Sequence, residues 1–190
     1  MDSSGKCSSG EARVRLHRLM PRDDVSFLKR FHAGYETHRI YDVVRSELGF
    51  CLVERFLTSP FVKSYPSDDI ADDLEISDAA WLAMDGEGVN AGLATARYEN
   101  WNRSMLITGI FVAPEFKRQG IGRLLLDEIE SYARSTDARC LMLETQNTNA
   151  PAIDFYLSTG FRLSGINAEL YDPNQVKSGE AAIYFIRQLA

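Results

Sequence analysis

Cysteine and histidine are scarce in this chain of 190 residues, with three of each. Cys7, Cys51 and Cys140 are widely spaced, odd in number and form no CxxC pair, which excludes a disulfide scaffold and a thiol-based metal or redox motif. They are expected as free or buried thiols in a reducing cytoplasm. His17, His32 and His38 show neither ligand spacing nor an HExxH pattern, so no metal site is expected. No apolar run approaches the roughly 18 residues of a membrane span. The first residues lack the continuous apolar stretch of a signal peptide. Residues 1–10 are therefore expected as a disordered tail, and 11–190 as one domain with a substantial core.

Positive charge is missing where negative charge is densest. From Ser64 to Ala96 there is no Lys, Arg or His, while Asp68, Asp69, Asp72, Asp73, Glu75, Asp78, Asp85 and Glu87 crowd that stretch. The chain's net charge is −6, so removing these eight negative charges leaves +2 for the remainder. A nucleic-acid binder concentrates the opposite sign. The block suits either attraction of a cationic substrate or a solvated loop.

Val14 to Leu19 alternates as a strand. Pro21-Arg22-Asp23-Asp24 predicts a turn and a helix start, with Val25, Leu28 and Phe31 facing a core. His38 to Leu57 predicts an irregular strand pair around Leu48-Gly49, and Ser59 to Asp78 a loop or short helix. Ala79–Met84 and Val89–Tyr98 form a hairpin across Asp85-Gly86-Glu87-Gly88. Met105 to Val112, nearly all apolar, predicts a central strand. Arg118 to Ser135 has helical period, with Ile121, Leu125, Ile129 and Ala133 on one stripe. A buried strand over Arg139–Thr145 and a short helix over Pro151–Ser158 come next. Phe161–Leu170 and Ala181–Leu189 close the sheet, separated by the Asp172-Pro173-Asn174 turn.

Chemistry concentrates at Lys117-Arg118-Gln119-Gly120-Ile121-Gly122-Arg123, between a buried strand and an amphipathic helix. A helix's first turn exposes free N–H groups and a positive dipole end. Glycine lets backbone approach a phosphate, and Arg118 and Arg123 add charge-assisted hydrogen bonds. A lone Gly-x-Gly serves a packing turn equally well. A Walker loop needs Gly-Lys-Ser or Gly-Lys-Thr, which is absent. A dinucleotide fingerprint needs a glycine where Leu125 stands.

Residues downstream of the loop narrow the choice. Val112-Ala113-Pro114-Glu115 and Arg118 to Gly122, then Leu141-Met142-Leu143-Glu144, Asn147, Asn149-Ala150, Phe155-Tyr156 and Gly160-Phe161, resemble in order and spacing the motifs of the GNAT acetyltransferase superfamily. The resemblance implies a mixed α/β (α+β) fold: a central, mostly antiparallel twisted sheet with one parallel, splayed pair of strands, and helices on both faces. It implies acetyl-CoA as co-substrate, with no metal. The coenzyme would be held by Ile110, Phe111 and Val112, by Arg118, Gln119, Gly120, Ile121, Gly122 and Arg123, and by Asn147 and Asn149. Tyr156 would protonate the departing thiolate. A phenol of pKa about 10 can serve a thiol of pKa about 8.5 at hydrogen-bond reach, although beside Ala152 and Phe155 this tyrosine also reads as a core aromatic.

Over nearly the whole chain the sequence is similar to the streptothricin (nourseothricin) acetyltransferases. The residues that carry this are Tyr65-Pro66-Ser67-Asp68-Asp69, Trp101-Asn102-Arg103, Leu143 to Asn147, Asn149 to Ile153, Leu170-Tyr171-Asp172 and Gly179-Glu180. The similarity implies a small cationic amine as acceptor, with Asp68, Asp69, Trp101 and Tyr171 as candidate contacts. The reacting ammonium needs a base, because its pKa lies near 10.4 in water. Where those relatives carry an acidic pair ahead of the motif loop, this chain has Thr108-Gly109. Glu144, Asp172 and Glu99 are the candidate bases. Acetylation of protein amines, or a silent acyl-CoA-binding module, stand as alternatives, and the protomer is expected as a monomer or homodimer.

Overall fold

A computed structural model describes residues 14–20, 22–174, 176 and 179–189. The expected tail over 1–10, with Cys7, lies outside the described residues. Seven strands form one sheet, in which all neighbours are antiparallel except one pair. They are β1 (Arg15–Leu19), β4 (Ala79–Met84), β5 (Asn90–Glu99), β6 (Ser104–Val112), β7 (Cys140–Gln146), β8 (Arg162–Asn167) and β9 (Ala182–Gln188), in the order β1-β4-β5-β6-β7-β9-β8. The parallel pair is β6 with β7. Strands β2 (Ala33–Arg45) and β3 (Phe50–Tyr65) make a separate antiparallel hairpin.

The two faces of the sheet are covered differently. Ala94 joins a large core with the buried stripe Ile121, Leu125, Ile129 and Ala133 of α2 (Ile121–Arg134) and with Ile153 and Tyr156 of α3 (Ala150–Ser158). Its neighbour Leu93 faces the other way, because side chains alternate along a strand. It packs with Leu28, Phe31 and Ile70 in a smaller core, under α1 (Ser67–Glu75) and a single 3-10 turn, Ser26–Arg30. Helices thus lie on both faces, as expected. No helix among the described residues is long and apolar enough to cross a membrane.

Three expectations need correction. The helix expected after Asp24 is only that 3-10 turn, and Val25 is exposed rather than in the core. The loop expected from Ser59 is strand as far as Tyr65. Residues 57–60 have no cross-strand partner, since the register passes from Arg39↔Phe56 to Thr37↔Phe61. Pro60 falls in this unpaired stretch, where the ladder demands no N–H from it. The closing strand expected to Leu170 stops at Asn167.

One register detail creates an opening in the sheet. The pairing of β6 with β7 runs only from Ser104↔Cys140 to Ile107↔Leu143. Against β5, β6 carries a bulge at Thr108, between Thr95↔Gly109 and Ala96↔Ile107. An extra residue bends a strand and strengthens its twist. Beyond the bulge β6 stays with β5, β7 stays with β9, and a gap opens between them.

Candidate active site

A cavity of about 710 Å³ fills that gap, a size usual for a small-molecule site. At one end lies the glycine loop. Gly120 caps α2 in the left-handed conformation (φ 85°), Arg118 is also left-handed (φ 65°), and a Cβ at Gly120 would meet no atom within 4 Å. Gln119, Gly120, Ile121 and Gly122 offer amides with no acceptor among the described residues. Consecutive free amides at a helix start form an anion cradle. Lys117, Arg118 and Arg123 line it, whereas the side chain of Gln119 does not, since it donates to the Glu115 carbonyl at 2.9 Å and so ties the loop to the turn before it.

From this cradle the cavity runs along Ile110, Phe111 and Val112 of β6. These residues have no strand partner on the β7 side, so their backbone can pair with a ligand. Tyr156 of α3 lines the middle. Its ring packs against Phe155, Phe161 and Phe185, and burial pushes its phenol above the usual value, which keeps it protonated at neutral pH. The hydroxyl has no hydrogen-bond partner among the described residues, yet it is not sealed from the cavity.

Beyond the gap the lining changes character. Asp69 and Asp73 of α1, Glu144 and Gln146 of β7, Thr108 of β6 and the two tyrosines Tyr35 and Tyr65 meet there. Glu144 accepts a hydrogen bond from the Tyr171 hydroxyl. Its carboxyl is pushed up by burial, against the opposing pull of that phenol and of Lys63. Asp73 is pushed up to about 6 by burial and by the negative charges of Asp69, Asp72 and Glu144. Tyr65 donates to Gln146 at 3.1 Å and accepts from Asn149 Nδ2 at 3.2 Å. Asn149 also caps α3, its Oδ1 accepting from Ala152 N at 3.2 Å. This residue therefore orients the helix that carries Tyr156.

Several expected residues lie elsewhere. Asn147 lines no part of the cavity. It is buried, and its amide donates to the carbonyls of Tyr41 (2.7 Å) and Gly179 (3.0 Å) and accepts from Ala181 N (2.7 Å). It joins the hairpin, β7 and β9 rather than touching a coenzyme. Asn147→Ala is expected to lower stability by about 1–3 kcal/mol, because it removes the partner of three backbone groups, of which the Ala181 N–H is buried. In a denaturant titration the loss should appear without any change in coenzyme affinity of the folded protein. Trp101 is 83% exposed at the β5–β6 turn, the end of β6 remote from the gap. The neighbouring Asn102 holds that turn through Ser104. Glu99 is spent on Arg97. Asp172 is exposed and braces its own turn through Asn174. Asp68 and Asp69 are both exposed, but only Asp69 lines the cavity.

Asp73, Tyr65 and Gln146 were not among the expected site residues. The signal for Asp73 was present: Asp69 and Asp73 are four apart, and so share a helix face beside the inward Ile70 and Leu74.

An anion cradle, an open strand edge and a protonated phenol on one cavity define an enzyme that uses an acyl-coenzyme A. The profile of the acetyltransferase (GNAT) family matches residues 49–161. A streptothricin acetyltransferase from Streptomyces lavendulae is 34% identical over 85% of this chain and 88% of its own. The crystal structure of a nourseothricin acetyltransferase superposes with a TM-score of 0.83 at 31% identity, over 93% of this chain and 99% of that one. A Bacillus anthracis str. Ames structure holding acetyl coenzyme A shares the fold (TM-score 0.76, 20% identity, 95% and 100% covered). The chain belongs to the GNAT family and is an acetyl-CoA-dependent N-acetyltransferase.

Proposed function

We propose that the enzyme acetylates a primary amine of a small polycationic acceptor of the streptothricin type, and so confers resistance to it. The observation that carries this is the division of charge along the cavity. Lys117, Arg118 and Arg123 mark the coenzyme end, and Asp69, Asp73 and Glu144 the other. An acidic arm concentrates a polycation by attraction that salt screens. The relatives named for streptothricin and nourseothricin support the same acceptor.

Acetyl-CoA supplies the activated acetyl group. The amides of Gln119 to Gly122, with Arg118 and Arg123, hold its pyrophosphate, and Ile110 to Val112 pair with its pantetheine arm. Glu144, fixed by Tyr171, holds the incoming ammonium. Tyr156 holds a proton at its phenol oxygen for the leaving sulfur. The free thiols Cys51 and Cys140 suit the cytoplasm, where the coenzyme is available.

The test is thiol release from acetyl-CoA with streptothricin, spermidine and a basic peptide as acceptors. Streptothricin is expected to turn over fastest, with a KM that rises with salt. Asp69→Asn should raise that KM by about 3–10-fold, by removing one charge from the arm. Turnover of the peptide alone would move the acceptor to protein amines, and turnover of none would leave a binding module.

A further inference from the structure

The chemistry of amide formation requires a proton acceptor on the amine's side of the cavity. An ammonium is no nucleophile, and near neutral pH almost all of a lysine-like amine is in that form. Three carboxylates line the arm, and the structure distinguishes them. Glu144 already accepts the hydrogen bond of the Tyr171 phenol and lies within the influence of Lys63, although burial raises its carboxyl overall. Its carboxylate is thus already engaged by a donor, and both neighbours oppose the rise that burial gives it. Asp69 is exposed near the rim. Asp73 is half-buried, and its carboxylate accepts no hydrogen bond and forms no ion pair among the described residues.

The position of Asp73 is fixed relative to the strand gap. One turn further along, Ser77 donates its hydroxyl proton to the Asp73 backbone carbonyl at 2.6 Å, and its Oγ lies 2.8 Å from Thr108 Oγ1. Thr108 in turn bonds Thr95 at 2.7 Å. The C-terminal end of α1 is thereby pinned to the bulge that opens the gap. The bulge itself carries no carboxylate. At Gly109 a Cβ would overlap the ring of Phe111, so a side chain there would require that ring to move.

We infer that Asp73 is the general base, taking the proton of the acceptor's ammonium. This rests on the proposed amine acceptor. The ammonium gives one proton to Asp73, which passes it to solvent. The nitrogen's electron pair forms the C–N bond as the C–S bond breaks. The sulfur takes the proton of Tyr156, and the second proton shed by the nitrogen restores the phenol.

The titratable groups around Asp73 are Asp69 and Asp72 on its own helix, Glu144 from β7 and Tyr65 from β3. Lys29 and Arg30, on the 3-10 turn packed against α1, are exposed and line no part of this cavity. Every charged neighbour is negative, which favours the protonated carboxyl. A base must be deprotonated to act, so activity rises with pH through its pKa and falls below it. With Asp73 near 6, kcat/KM for streptothricin should show an acid limb at about pH 6.

The experiment compares pH profiles of wild type, Asp73→Asn, Asp69→Asn and Glu144→Gln with streptothricin, and checks acetyl-CoA binding by calorimetry. Asp73→Asn is expected to bind acetyl-CoA as wild type does, to lose about 10²–10⁴-fold in kcat/KM at pH 7 and to lose the acid limb. Its deficit should shrink to within about tenfold near pH 10, where roughly a quarter of the amine is neutral in solution. Asp69→Asn should move the limb to lower pH, because a negative neighbour of Asp73 is gone. An Asp73→Asn enzyme within threefold of wild type, or one equally impaired at every pH, overturns the assignment. So does loss of the limb in Glu144→Gln alone. Wild type that fails to acetylate streptothricin overturns the proposed acceptor and this inference together; an active wild type with an unaltered Asp73→Asn profile overturns only the base.

Discussion

Gly120→Glu should raise the Kd for acetyl-CoA by more than about 100-fold while leaving the fold intact. Three effects add. The left-handed backbone at this position, φ 85°, disfavours any side chain. The new Cβ points into the open cavity, where no protein atom lies within 4 Å, so the fold tolerates it and the ligand does not. A carboxylate there also faces the pyrophosphate. Like charges about 4 Å apart cost about 1 kcal/mol in water and about 4 kcal/mol at a protein surface. Together with a lost charge-assisted hydrogen bond of about 1.5–3 kcal/mol, this exceeds the 2.7 kcal/mol or so of a 100-fold change. Calorimetric titration with acetyl-CoA reads the effect, and circular dichroism confirms folding. Gly120→Ala separates the causes, because it keeps the backbone strain without the charge and should lose about tenfold or less. A glutamate variant within threefold of wild type would remove the phosphate from this loop.

The second large effect is expected at Tyr156. Tyr156→Phe should lower kcat by about 100-fold, at the low end for loss of a general acid because a thiolate leaves more easily than an alkoxide. The Kd for acetyl-CoA should change less than twofold. The thermal midpoint provides an independent check. The ring contacts to Phe155, Phe161 and Phe185 survive the substitution, and the hydroxyl has no partner to lose among the described residues. Removing an unpaired polar atom from an apolar setting is neutral or stabilising. A structural hydroxyl would show the opposite pattern, with stability falling and kcat preserved.

The glycine cradle was legible in the sequence because it is local. A cradle made by one loop and the first turn of one helix needs only contiguous residues, and the stripe Ile121, Leu125, Ile129 and Ala133 places that helix on the sheet. The acceptor half is assembled from α1, β3, β6 and β7, so no single stretch displays it. Asn147 lies in the motif that implies a coenzyme contact, yet its three bonds go to segments distant in sequence. Trp101 looks recognitional, but the direction of β6 puts it at the far end of the sheet. Ser59 to Tyr65 resembled a loop because Pro60 normally ends a strand, and nothing local reveals that its partner strand skips past it. Thr108-Gly109 was visible as a departure, whereas the Phe111 ring that occupies the space of a side chain at Gly109 is a tertiary feature.

The gap between β6 and β7 has a consequence for traffic. The glycine cradle of α2 and the acidic residues of α1 stand on opposite faces of the sheet, and the cavity through the gap joins them. On the proposed function, coenzyme and acceptor would therefore be held at once, and the acetyl group would cross directly from one to the other. Storage on the enzyme is unnecessary: Cys51 is on the surface and Cys140 is buried elsewhere, and neither lines the passage.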